Sequence, residues 1–223
     1  DGIDPFDSDK PISVELEDVH YTTSDGCRIL KNVNFAVVAK ERILLQGASG
    51  SGKSTLLKLL SGLIFPSSGS LYVNHNSIKG IWPNRYRSKV GQVLPDQQPF
   101  EGTILDNITF GDTSISRDRL NEVLEELGLL PFIKAQPNGL KTMLYPEGQQ
   151  MPYSVAKRIV LARAIVHNPE MLLLKDPLEN LEHEEAQKII TYLTDASRPW
   201  ALVVSSRNPL WRKHCTKTLK MKN

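Results

Sequence analysis

The chain has 223 residues, 40% of them hydrophobic, with a formal net charge of +2 and two cysteines. That length suits one α/β domain or one core carrying an inserted lobe, and the apolar fraction supports a sizeable core and excludes general disorder. The small charge argues against nucleic acid as a partner, Cys27 and Cys215 form no CxxC pair and read as free thiols of a reducing compartment, and His20, His75, His167, His183 and His214 have no metal-ligand spacing. Residues 1–11, rich in Asp, Pro and Ser, read as a linker. Ile12, Val14 and Leu16 alternate with Ser13, Glu15 and Glu17, the pattern of a half-buried strand. Thr23-Ser24-Asp25-Gly26 supplies a turn, and Ile29 to Val38 reads as further β structure.

Ile43-Leu44-Leu45 then reads as a short buried strand running into Gly47-Ala48-Ser49-Gly50-Ser51-Gly52-Lys53-Ser54-Thr55. This is the G-x-x-x-x-G-K-[ST] pattern of a loop that cradles nucleotide phosphates. Glycines at this spacing let the backbone curl with its N–H groups inward, a nest for anionic oxygens. Lys53 is placed to reach the outer phosphates, and the Ser54 hydroxyl to ligate magnesium. Leu56, Leu57 and Leu60 follow with helical spacing, so a helix N-terminus would add its positive field to the same point.

Pro66-Ser67-Ser68-Gly69 breaks the chain, and Leu71 to Val73 and Val90 to Val93 read as strands. The middle is helical. Ser116 is placed to cap a helix with Leu120, Val123, Leu124 and Leu127 on one face, closed by Gly128; Ser154 is placed to cap another through Ile159, Ala162 and Val166. Met171-Leu172-Leu173-Leu174 is the pattern of a central parallel strand covered on both faces. A helix with Ala186, Ile189, Ile190 and Leu193 and a core strand Ala201 to Val204 follow. Strands alternating with helices predict a layered, mostly parallel sheet. The basic runs Arg85 to Lys89 and Lys217 to Lys222 read as solvated faces. No apolar run approaches the ~18 residues of a membrane span, no signal peptide is present, and a start at Asp1 reads as a piece cut from a longer protein.

Several stretches together resemble the nucleotide-binding domain of an ABC transporter of exporter type. They are Val33-Asn34-Phe35 before the phosphate loop, Phe100 to Ile108, Gly139-Leu140-Lys141-Thr142 with Glu147-Gly148, Arg158 to Ile165, and Asn168-Pro169-Glu170 leading into the strand at Met171. The resemblance covers nearly the whole chain. It implies an α/β P-loop NTPase fold, with a RecA-like core, an antiparallel β lobe and an inserted helical lobe. It places the core and β lobe at about 12–94 and 168–223, and the helical lobe at about 95–167. It also implies ATP as ligand with magnesium, a membrane-spanning partner, and a second nucleotide-binding domain as partner. The expected location is the cytoplasmic face of the inner (plasma) membrane. In this family two such domains sandwich two nucleotides, each phosphate loop facing the signature of the opposite chain.

The departures fall on the family's functional positions. The adenine-stacking aromatic falls on Thr23; Tyr21 is placed either to substitute or to pack in the core. The magnesium-binding glutamine falls on Pro95, with Gln97 and Gln98 close enough to replace it if the loop shifts. The L-S-G-G-Q signature falls on Met151-Pro152-Tyr153-Ser154-Val155, where Pro152 removes an N–H and Tyr153 adds bulk. The strand at Met171 ends in Lys175-Asp176 instead of Asp-Glu. An ammonium ~4 Å from a +2 ion costs up to roughly 8 kcal/mol at an effective dielectric of ~20. Lys175 therefore either neutralises phosphates in the metal's place or points into solvent. Asp176 is the remaining candidate base, one methylene shorter than glutamate. The usual histidine falls on Ser206, which offers a hydrogen bond but no switchable charge. The expectation is a domain that binds ATP and hydrolyses it weakly or not at all. Three alternatives stand beside it: an active ATPase using shifted residues such as Gln97 and Asp176, a soluble ABC-fold protein outside transport, and an unrelated phosphate-loop kinase. The last is disfavoured by the about 120 residues between Lys53 and Asp176.

Overall fold

The computed structural model describes residues 4–6, 10–145 and 151–222. In chain order the elements are β1 (Ser13–Thr22), β2 (Arg28–Val38), β3 (Arg42–Gln46), α1 (Lys53–Ser61), β4 (Ser68–Val73), β5 (Asn76–Ser77), α2 (Pro83–Arg87) and β6 (Val90–Val93). They continue with β7 (Gly102–Thr103), α3 (Ile104–Thr109), α4 (Arg117–Glu126), α5 (Leu130–Lys134), β8 (Met143–Leu144) and α6 (Tyr153–Ile165). The last are β9 (Met171–Lys175), α7 (His183–Thr194), β10 (Ala201–Ser205), α8 (Leu210–His214) and β11 (Lys217–Lys220).

Two sheets carry the architecture. One is antiparallel, in the order β2-β1-β4-β5; the other is parallel, in the order β11-β3-β10-β9-β6. Side-chain alternation splits the parallel strands between two cores. Ile43, Leu45, Met171, Leu173, Ala201 and Val203 face α1 and the antiparallel sheet. Leu44, Val93, Leu172, Leu174, Leu202 and Val204 face α3, α4, α6 and α7. That is why β9 and β10 are apolar at consecutive positions. Each fully buried leucine contributes about 1.5–3 kcal/mol.

Ser116 caps α4 as expected, its hydroxyl accepting from the Arg119 N–H at 3.1 Å, and Gly128 follows the helix with φ +66°. Ser154 does not cap α6. The helix begins at Tyr153 with Pro152 at the cap position, because the Pro152 carbonyl takes the first bonds, from the N–H groups of Val155 and Ala156. Nor does α6 show one apolar stripe. It is buried nearly all round, including Lys157 and Arg158, and the Arg158 guanidinium is held by the carbonyls of Leu127 and Gly128 at 3.2 and 3.0 Å.

Two further expectations are corrected. Within the expected linker, residues 4–6 dock on the core: Asp4 pairs with Arg85 at 2.7 Å, and the Phe6 ring lies under the cations of Arg85 and Lys89. Within the 85–89 cluster Arg85 and Lys89 therefore act as an anchor, while Arg87 and Ser88 stay exposed. The basic tail is a solvated face as expected, with Lys217, Lys220 and Lys222 exposed, and its backbone adds β11 to β3 as an edge strand. Glu147 and Gly148 lie outside the described residues.

Candidate functional site

The five parallel strands run the same way, so their carboxyl ends share one edge. The chain order reverses direction around β3, the arrangement that leaves a crevice at that edge. The phosphate loop springs from β3 into this crevice. Gly52, at φ +93°, ends the loop where any Cβ would sit 2.5 Å from Leu30 Cδ2, so only glycine fits. At Gly47 a Cβ would come within 2.6 Å of the Ser51 hydroxyl. No side chain caps α1 and no acidic residue occupies its first turn, so its leading N–H groups face the crevice unscreened.

The resulting cleft, about 850 Å³, is lined by Gly47, Ser49, Gly50, Gly52, Lys53, Ser54 and Thr55 together with Lys175, Asp176, Ser205, Ser206 and Arg207. The Lys53 ammonium donates to the Gly47 carbonyl, folding across the loop. Burial, and next the Lys175 ammonium, pull the Lys53 pKa below its ordinary value, while Asp176 opposes them. Lys175 ends β9 beside Ser205 of β10 in parallel register, and its ammonium donates to the Ser205 hydroxyl at 3.2 Å. It is thus held at the cleft instead of pointing into solvent. Asp176 has a left-handed backbone, φ +41°, and its carboxylate accepts from the Arg207 N–H at 3.3 Å. The Ser206 hydroxyl accepts from the Asn208 N–H at 3.1 Å.

Other expected residues lie elsewhere. Ser51 is buried behind the loop with no partner for its hydroxyl. Tyr21 packs against the core of the antiparallel lobe and does not line the cleft. Gln97 is outside it too: its carboxamide oxygen accepts from the Leu94 N–H at 2.9 Å, beside Pro95 and Gln98 in a small hollow against α6. At the signature position Tyr153 stands 51% exposed, its hydroxyl donating to Glu179 at 3.3 Å, with the Lys157 ammonium 5.9 Å from its ring. Sequence reasoning missed Ser205 and Arg207. The only signal for them was their neighbour Ser206.

The cleft fits a triphosphate: a glycine nest, a helix N-terminus and three cations converge on it. It does not fit magnesium. Its oxygen donors are neutral, from Gln46, Ser49, Ser54, Thr55 and Ser206, except for the single carboxylate of Asp176, and the Lys175 ammonium sits on Ser205 at the same strand ends. Among the described residues no three acidic, histidine or cysteine side chains gather as a metal site.

The sequence profile described as ABC transporter matches residues 30–179. This chain belongs to the ABC transporter family. The ABC chain is 32% identical over 194 residues to ATP-binding cassette sub-family B member 5 of Mus musculus, covering 86% of this chain and 16% of that protein. It is 28% identical to the transport ATP-binding protein AarD of Providencia stuartii, covering 87% of this chain and 33% of that one. A solved bacterial Atm1-family ABC exporter with ATP bound superposes with TM-score 0.86 at 26% identity, over 96% of this chain and 37% of that one. The expected P-loop NTPase fold is therefore the observed one. The ABC chain spans between a sixth and about a third of these relatives. No helix among its described residues is long and apolar enough to cross a membrane.

Proposed function

We propose that this chain is the ATP-binding unit of an exporter-type ABC assembly, binding ATP on residues 47–55 and hydrolysing it slowly or not at all. It works at the cytoplasmic face of the plasma (inner) membrane, with a membrane-spanning partner and a second nucleotide-binding domain, identical or different. In this reading the core and β lobe comprise about 12–94 and 168–223, and the helical lobe about 95–167. The observation that carries it is the contrast within one cleft. The phosphate loop keeps every feature that grips an anion, while the groups around it that would position water and metal are changed or already occupied. The runner-up, an active ATPase, retains only Asp176 at the cleft, since the Gln97 carboxamide is turned to Leu94.

The test pairs a melting assay with phosphate release. Millimolar ATP should raise the melting temperature of the wild type and leave Lys53→Ala unmoved. Phosphate release should stay near the Lys53→Ala background. Turnover approaching the ~10 s⁻¹ median of enzymes would establish the runner-up, with Asp176→Asn identifying the base.

A further inference from the structure

We infer that this cleft takes its nucleotide free of magnesium, with the Lys175 ammonium as a built-in counter-charge, and that magnesium works against binding. The inference rests on the nucleotide reading above and goes beyond it. Its basis is the row of strand ends. The parallel ladder sets Lys175 opposite Ser205, and Ser205 opposite Leu45, two residues before Gly47 opens the loop. Ser205 is 2% exposed within β10, so the hydroxyl that receives the ammonium is itself held in place at the cleft.

Charge then decides between the two forms of the ligand. Three cations line the cleft, Lys53, Lys175 and Arg207, against the single carboxylate of Asp176. That carboxylate, which accepts from the Arg207 backbone N–H, offsets only part of this positive charge, and the net shift at Lys53 stays downward. Their mutual repulsion is felt at Lys53, whose charged form is disfavoured by burial and by Lys175. A metal-free triphosphate carries twice the negative charge of its magnesium complex and relieves this repulsion. A divalent cation would add to it, at a site where the loop offers only neutral hydroxyls and a single carboxylate stands nearby.

Calorimetry of the intact protein with ATP, once in excess chelator and once in excess magnesium, tests this. Expected are a dissociation constant in chelator below that in magnesium, and about tenfold weaker binding in chelator for Lys175→Gln. Lys175→Asp should reverse the preference, so that magnesium tightens binding. Ligand-free melting curves show whether each variant is folded, and the wild-type comparison needs no variant. Wild-type binding that magnesium leaves unchanged or tightens would overturn the inference while leaving the nucleotide reading intact. So would an unchanged affinity of folded Lys175→Gln in chelator. No heat from ATP in either buffer, for wild type and Lys175→Asp alike, would overturn both.

Discussion

Burial pushes the Cys215 thiol up to about 11, with the Arg42 guanidinium opposing, while Cys27 is exposed on the turn side of β2. Cys215 packs at the edge of the core that holds Trp211 and Leu210, and its N–H donates to the Trp211 carbonyl at 3.0 Å. The thiolate is the nucleophile, so a thiol whose ionisation is displaced this far presents almost none of it near neutral pH. In native protein at about pH 8, alkylation followed by peptide mass mapping should label Cys27 and spare Cys215. Labelling of Cys215 should rise only as the pH approaches 11 or as denaturant is added. Equal native rates at pH 8 would contradict the packing described. The same scale decides the phosphate loop: Gly52 is required by its left-handed backbone, φ +93°, and by the close approach of Leu30.

The helices are stitched together by a polar cluster rather than by apolar contact alone. The Arg119 guanidinium of α4 donates to the Ile165 carbonyl of α6 at 2.7 Å and to Glu122 at 3.1 Å. Glu122 also receives Arg198 at 3.1 Å and the Tyr192 hydroxyl of α7 at 3.2 Å. Partial burial alone would raise the Glu122 pKa, but the bonds from Arg119 and Arg198 outweigh it, and the net shift is downward from 4.5. A depressed folded-state pKa means stability that is fully present above about 4.5 and lost as the pH falls through the lower folded value. The carboxylate is 41% exposed, so solvent screening holds its share below about 1 kcal/mol. Glu122→Gln should therefore lower the melting temperature modestly at about pH 7, and the gap to wild type should close as the pH falls below 4.5 and through the lowered folded value. A gap that persists in acid would show that packing, not charge, carries this contact. Arg163 does similar work between α6 and α3: burial pushes its pKa down to about 10, yet its guanidinium binds the Asn107 carbonyl at 2.7 Å and lies over the stacked rings of Phe100 and Phe110.

For the whole molecule the question is what a paired domain would meet. If each phosphate loop faces the signature of the opposite chain, as the family resemblance implies, a competent partner's nucleotide meets residues 151–155 of this one. There Pro152 offers no N–H, Tyr153 projects and is tied to Glu179, and Met151 and Val155 are buried. Co-purified with an active partner domain, the wild-type pair should release phosphate no faster than the pair carrying Lys53→Ala. Replacing Met151 to Val155 with Leu-Ser-Gly-Gly-Gln should raise release from the partner's site alone. A wild-type mixed pair with normal turnover would show that closure does not need those N–H groups.

The phosphate loop, the buried β9 and β10, and the capped α4 were legible in the sequence because each is written in local chemistry. Glycine spacing, unbroken apolar runs and a serine before a helical repeat act within a few residues of where they appear. Register between distant strands is not local. Lys175 and Ser205 are 30 residues apart, and no sequence pattern states that their ladder makes them opposite. Tertiary structure alone brought the Lys175 ammonium to the cleft, added Arg207 as a third cation, engaged Asp176, and turned Gln97 toward Leu94 and away from the site. The same holds for Asp4 and Phe6, which composition assigns to a linker and which the cations of Arg85 and Lys89 hold against the core. The sequence by itself determined that an anion-binding loop exists here, because a backbone nest needs only its own glycines. Which charges surround that loop was decided by the sheet, because a strand end is placed by its neighbours' hydrogen bonds and not by its own side chains.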